Sequence, residues 1–178
     1  MAKEEYAIIL DFLPYGYPLE NRRMPLGQAI GTSGFTLLQL VPRRGEKLEI
    51  GNKVYIGDGK RDKVQYILGR CPRKKLTETA KGQLGDFVEK SVLNDEERFV
   101  KFFNKAQAIN TRLHQFELLP GLGKKHTNAI LEAREEKEFE SFEDIKKRVS
   151  NMPSPEKVVA KRIMEELTEI QRHNLFIF

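Results

Sequence analysis

Tryptophan is absent from the sequence and cysteine occurs once, at Cys71. One thiol forms no internal disulfide and holds no zinc on its own, which excludes a disulfide-stapled scaffold and a zinc ribbon. His114, His126 and His173 are the only histidines, and no two have the spacing of ligands on one helix. No run approaches the roughly 18 apolar residues that span a bilayer. Met1-Ala2-Lys3-Glu4-Glu5 lacks the apolar core of a signal peptide. A phosphate-binding Gly-x-x-x-x-Gly-Lys-[Ser/Thr] loop is also missing. Gly31-Thr32-Ser33-Gly34 lacks the lysine and reads as a flexible loop. These absences point to a cytoplasmic protein without a metal site.

What is present is unevenly spread. The chain has 178 residues, 39% hydrophobic and 32% charged, with a net charge of +5. Residues 1–76 carry 14 Lys/Arg against 8 Asp/Glu, while residues 77–178 carry 17 against 18. All five tyrosines fall in the first part and most phenylalanines in the second. The expected organisation is two units, 1–76 and 77–178. A basic unit attracts polyanions.

In the first unit, Tyr6–Leu13, Phe35–Val41, Lys53–Ile56 and Lys63–Leu68 read as strands. Leu19–Ser33 reads as a loop holding at most a short strand. Gly57-Asp58-Gly59-Lys60-Arg61-Asp62 reads as a hairpin turn with a basic tip. Short strands punctuated by glycine favour a small antiparallel β-barrel. The second unit reads as all-helical. Helices are expected from Thr77 to Lys90, after Asn94, from Thr111 through Leu118, after Ser141 and after Ser154-Pro155. The fold class is α+β. Glu135-Glu136 and Glu165-Glu166 read as solvated helix faces.

The most specific segment is Leu118-Leu119-Pro120-Gly121-Leu122-Gly123-Lys124-Lys125, followed by Ala129, Ile130 and Arg134. Pro120 ends a helix, and Gly121 and Gly123 permit a tight turn with no Cβ in the way of a phosphate. The next helix starts near Lys124, so its N–H groups and dipole point at the same place. Leu122 is expected to tuck into the core. The segment resembles a helix-hairpin-helix motif, placed at 112–137. The resemblance implies sequence-nonspecific phosphate contact, with a monovalent cation at the hairpin carbonyls as the one cofactor it allows. Phe139–Val149 is similar to the segment that follows the hairpin in tandem copies. The second Gly-x-Gly is missing, so a degenerate unit at 141–172, mainly structural, is expected.

The whole chain resembles an uncharacterised archaeal family of predicted RNA- or nucleotide-binding proteins with an OB-like N-terminal barrel and a C-terminal helix-hairpin-helix region. An OB-like barrel implies a groove with stacking aromatics and flanking cations. Tyr15, Tyr17, Tyr55 and Tyr66 are the stacking candidates. Arg43, Arg44, Lys60, Arg61, Arg73, Lys74 and Lys75 are the cations, with Gly121, Leu122, Gly123, Lys124 and Lys125 at the hairpin. The reading is a non-enzymatic nucleic-acid-binding protein, RNA favoured over DNA on the resemblance alone. The alternatives are a protein-interaction adaptor and a metal-dependent nuclease using Asp11, Asp58 and Asp62.

Overall fold

The structure, a computed structural model, describes residues 3–178. The first strands are β1 (Tyr6–Leu13), β2 (Leu26–Gly31), β3 (Leu37–Pro42), β4 (Lys53–Tyr55) and β5 (Val64–Arg70). They form one curled antiparallel sheet, a half-barrel in the order β4-β1-β2-β3-β5. β4 pairs with β1 and β5 pairs with β3, both antiparallel. Consecutive in sequence, β4 and β5 therefore run in the same direction at opposite edges. The 57–62 connection crosses from one edge to the other and is not a hairpin.

The sheet's inner face carries Ala7, Ile9, Ala29, Leu38, Leu40 and Val54, with Leu48, Ile56 and Val64 closing the core. β2 contains Gly27 and Gly31 and has little strand propensity, yet all six of its residues are buried. A Cβ on Gly27 would meet Leu48 Cδ1 at 2.5 Å. Pairing and packing thus make a strand where local preference gives none. β3 starts at Leu37 instead of Phe35, because Phe35 is left-handed (φ 52°) with its ring buried.

The remaining elements are α1 (Glu78–Asn94), α2 (Glu96–Lys105), β6 (Ala108–Asn110), β7 (Leu113–His114), α3 (Lys124–Glu136), α4 (Phe142–Arg148) and α5 (Pro155–Thr168). Short 3-10 turns cover Arg73–Lys75 and Gln115–Leu118. The helix expected from Thr111 is a small β6–β7 ladder followed by the second of these turns. His114 caps that turn by accepting from Phe116 N–H, while Glu117 accepts from His114 N–H.

The chain divides into two compact units. One holds residues up to Gly85 together with Leu167–Phe178, and the other is Asp86–Glu166. The division falls inside α1 and α5, not at residue 76, and the end of the chain belongs with the sheet. The core of the second unit is aromatic. Phe103 and Phe116 stack at 5.7 Å, and Phe102 meets Phe116 edge-on at 5.8 Å.

Candidate functional site

Three groups of expected site residues emerge, one in the second unit and two in the first. The first is the turn before α3. Leu119 and Leu122 are buried, and Leu122 N–H donates to Leu119 O at 3.2 Å. Gly121 sits between them at φ 83°, a conformation that L side chains rarely adopt. Gly123 caps α3 in extended conformation with no side-chain oxygen on the helix amides. A Cβ on either glycine would meet nothing within 4 Å. Gly121, Gly123, Lys124 and Lys125 are all exposed, and the first turn of α3 holds no acid. The neighbouring helix α4 is the contrast. Ser141 Oγ accepts from Asp144 N–H at 3.0 Å, and Glu143 and Asp144 fill its first turn. That helix satisfies its own N-terminus, whereas α3 presents its amides and dipole openly.

The segment expected to be degenerate repeats the geometry of this turn. Val149 and Met152 are buried, and Met152 N–H donates to Val149 O at 3.4 Å. Asn151 takes the place of Gly121, with φ 57°. Asparagine tolerates this region better than most residues, so the missing glycine leaves the backbone path intact. His126 Nε2 lies 3.1 Å from Asn151 O, tying the start of α3 to the second turn.

Arg162 went unnoticed in the sequence as a site residue. On α5 it is buried, donates from Nε to Glu166 Oε1 at 3.1 Å and from an NH1 group to Leu118 O at 3.1 Å. It thereby fixes the residue that leads into the first turn. Glu166 is fully buried rather than solvated. The signal was the i, i+4 spacing of Arg162 and Glu166.

The second group surrounds Tyr17. Asp11, Gln28 and Gln39 are cross-strand partners on the sheet's outer face. Tyr17 Oη donates to Gln39 Oε1 at 2.8 Å and accepts from Gln28 Nε2 at 3.1 Å. Gln28 also donates to Lys75 O and accepts from Thr77 N–H, and Thr77 Oγ1 donates to Asp11. Asp11 is therefore a structural acceptor in this network. Burial pushes the Tyr17 phenol up to about 12 and raises the Cys71 thiol as well. Lys75 Nζ lies 4.8 Å over the Tyr17 ring and pairs with Glu20. Tyr17 and Lys75 thus hold each other in place. Tyr15 is different: it is 79% exposed and lines a cleft of about 660 Å³ with Phe12, Tyr17 and Arg23.

The third group lies at the sheet edges. Tyr55 on β4 and Arg61 line a second cleft. Arg43 Nε donates to Arg61 O at 2.7 Å, and Arg61 Nε donates to Gly57 O at 2.8 Å. Arg44, Lys60 and Lys74 are exposed, and Arg73 is half-buried in its 3-10 turn. Tyr66, on β5, contacts Met24 Sδ through its hydroxyl. Tyr15 and Tyr17 line one cleft, Tyr55 the other and Tyr66 neither, so the four tyrosines do not form one stacking row. The Gly31–Gly34 loop is tied down: Ser33 and Gly34 N–H groups donate to the buried Glu4 carboxylate at 2.8 and 2.7 Å.

Among the described residues, no group of three His, Cys, Asp or Glu is placed to hold a metal ion, and no helix is long and apolar enough to cross a membrane. A family model described as "Protein of unknown function (DUF655)" matches residues 3–178. The chain belongs to this DUF655 family. It is 42% identical over 175 residues to the uncharacterized protein MJ0038 of Methanocaldococcus jannaschii, covering 98% of this chain and 79% of that protein. The crystal structure of Af1531 from Archaeoglobus fulgidus, another DUF655 protein, is similar at 43% identity with a TM-score of 0.85. The match covers 98% of this chain and all of that one. The half-barrel and helical unit are thus set within an archaeal DUF655 framework.

Proposed function

We propose that the protein binds nucleic acid without sequence specificity, RNA in preference to DNA, and is not an enzyme. The single observation that carries this is the open turn at 119–125. Its two glycines have free space beside them, its helix amides have no side-chain cap, and two exposed lysines follow. Such a turn grips a backbone phosphate and reads no base. The turn at 149–152 has the same path, which supports reading 112–172 as two successive helix-hairpin-helix units. The curled sheet supports an OB-like reading of the first unit, with Tyr15 offered to a base at the mouth of its cleft. The RNA preference rests on resemblance to the family of predicted RNA- or nucleotide-binding proteins.

Fluorescence anisotropy with single-stranded RNA, single-stranded DNA and duplex DNA tests this reading. The logarithm of affinity is expected to fall with the logarithm of salt by about 0.7 per phosphate neutralised on a single strand. A slope near zero would overturn the phosphate grip. Gly123→Val is the companion variant. At φ −110° with open space beside it, the valine is accommodated, while its methyls fill the phosphate's approach. Affinity for all sequences is expected to drop about tenfold with the melting temperature unchanged.

A further inference from the structure

We infer that the cleft between the edges of β4 and β5 binds one nucleotide, with the base inside and the phosphate at the mouth. The cleft has about 530 Å³, within the range of small-molecule sites. Its floor is aliphatic, made by Leu38, Ile56 and Ile67. Two aromatic side chains, Tyr55 and Phe178, line the same cleft, and each makes a defined contact. Tyr55 packs edge-on to Tyr6 at 5.4 Å and accepts from Gly59 N–H at 2.9 Å. Phe178 is seated where a Cβ on Gly34 would be, and its carbonyl accepts from Thr36 Oγ1 at 3.1 Å. An apolar floor between fixed rings suits a flat conjugated group.

The rim supplies what a hydrocarbon ligand would not need. Glu4 spends its carboxylate on Ser33 and Gly34, and Asp58 sits 3.6 Å from Lys3. Arg61 is pinned through Nε to Gly57 O, and Arg70 comes from the β5 edge opposite Leu38. Two guanidinium-bearing residues at the mouth match a phosphate. The Glu5 carboxylate is an acceptor for the N–H groups of a base. A bare phosphate uses none of the floor, and a purely apolar ligand uses neither arginine. The nucleotide is either free or the unpaired end of a strand. The second case rests on the function proposed above.

The test is an amide-resolved NMR titration of the full chain with 5′-mononucleotides, nucleosides, inorganic phosphate and an RNA hexanucleotide. Mononucleotides are expected to shift the amides of Gly57, Gly59 and Ile67, with nucleosides and phosphate at least tenfold weaker. Arg61→Gln is expected to weaken mononucleotides about tenfold with an otherwise unchanged spectrum. Ile67→Trp, which fills the cleft, is expected to abolish the shifts. A hexanucleotide that moves the same amides identifies a strand end as the occupant; one that leaves them still while mononucleotides bind identifies a free nucleotide. The cleft proposal is overturned if millimolar mononucleotide moves none of these amides, or if phosphate alone moves them equally. Hexanucleotide shifts confined to 119–125 without mononucleotide binding overturn the cleft and leave the phosphate grip standing. Mononucleotide in the cleft with no hexanucleotide bound anywhere does the reverse.

Discussion

The Tyr17 hydroxyl gives one hydrogen bond to Gln39 and takes one from Gln28, and both glutamines are buried. Tyr17→Phe leaves a carbonyl and an amide without that partner, at a cost of about 1–3 kcal/mol. Chemical denaturation is expected to show this loss, with nucleic-acid affinity unchanged because the aromatic ring is retained. Burial is the main reason the phenol is raised to about 12 from 10.0. Its stabilising contribution is therefore complete below pH 10 and is lost as the pH rises through about 12. An absorbance titration near 295 nm should show one tyrosine ionising late, together with unfolding. In the sequence Tyr17 looked like any basic-unit tyrosine. What it does depends on Gln28 and Gln39, which stand opposite each other only once β2 and β3 pair.

At the scale of elements, legibility followed local signal. Pro120, the two glycines and the lysines were readable because each acts over a few residues, and the cap at Ser141 was readable for the same reason. The strand β2 was not, because Gly27 and Gly31 are there for Leu48 and for Glu4. The helix expected from Thr111 failed where His114 and Glu117 form a reciprocal cap on a 3-10 turn. That cap has a titration of its own. Burial first, then Arg134, hold the His114 imidazole below its usual 6.5. The unfolded chain then takes up protons before the folded one. Stability is expected to fall as the pH drops through 6.5, and His114→Asn, which keeps a capping acceptor, should flatten that dependence in thermal melts. Arg162 acts on the same region from α5. Removing it breaks the ion pair of the buried Glu166 carboxylate, at about 3–5 kcal/mol. Arg162→Met should lower the melting temperature of the second unit by about 15 °C or more. Arg162→Met with Glu166→Leu should recover most of it.

For the whole molecule, the boundary expected at residue 76 rested on composition, whereas the compact units divide inside α1 and α5. Charge, tyrosine and turn content do change along the chain. Leu167–Phe178, however, carries phenylalanine and no tyrosine, like the second unit, while belonging to the sheet unit. Leu167 and Phe176 are buried there, and Phe178 occupies the space beside Gly34. Composition cannot show this, since it depends on which surface those side chains reach. Ending the chain at Glu166 is expected to cost the first unit about 3–6 kcal/mol, counting two apolar side chains of about 1.5–3 kcal/mol each. The tyrosine near-UV circular dichroism should record that loss selectively, because every tyrosine lies in the first unit. A melt monitored through tyrosine that stays unchanged would show that the tail is dispensable.

The interrupted course of the first unit also bears on the order of synthesis. Residues leave the ribosome from the N-terminus, and contiguous domains fold as they emerge. Asp86–Glu166 is contiguous, so it leaves the ribosome with all its partners ahead of Leu167–Phe178. The sheet unit begins earlier and finishes later, with the Gly34 side of β3 uncovered in the interval. Emergence thus runs in nested order, the inner unit complete while the outer one still waits for Leu167–Phe178.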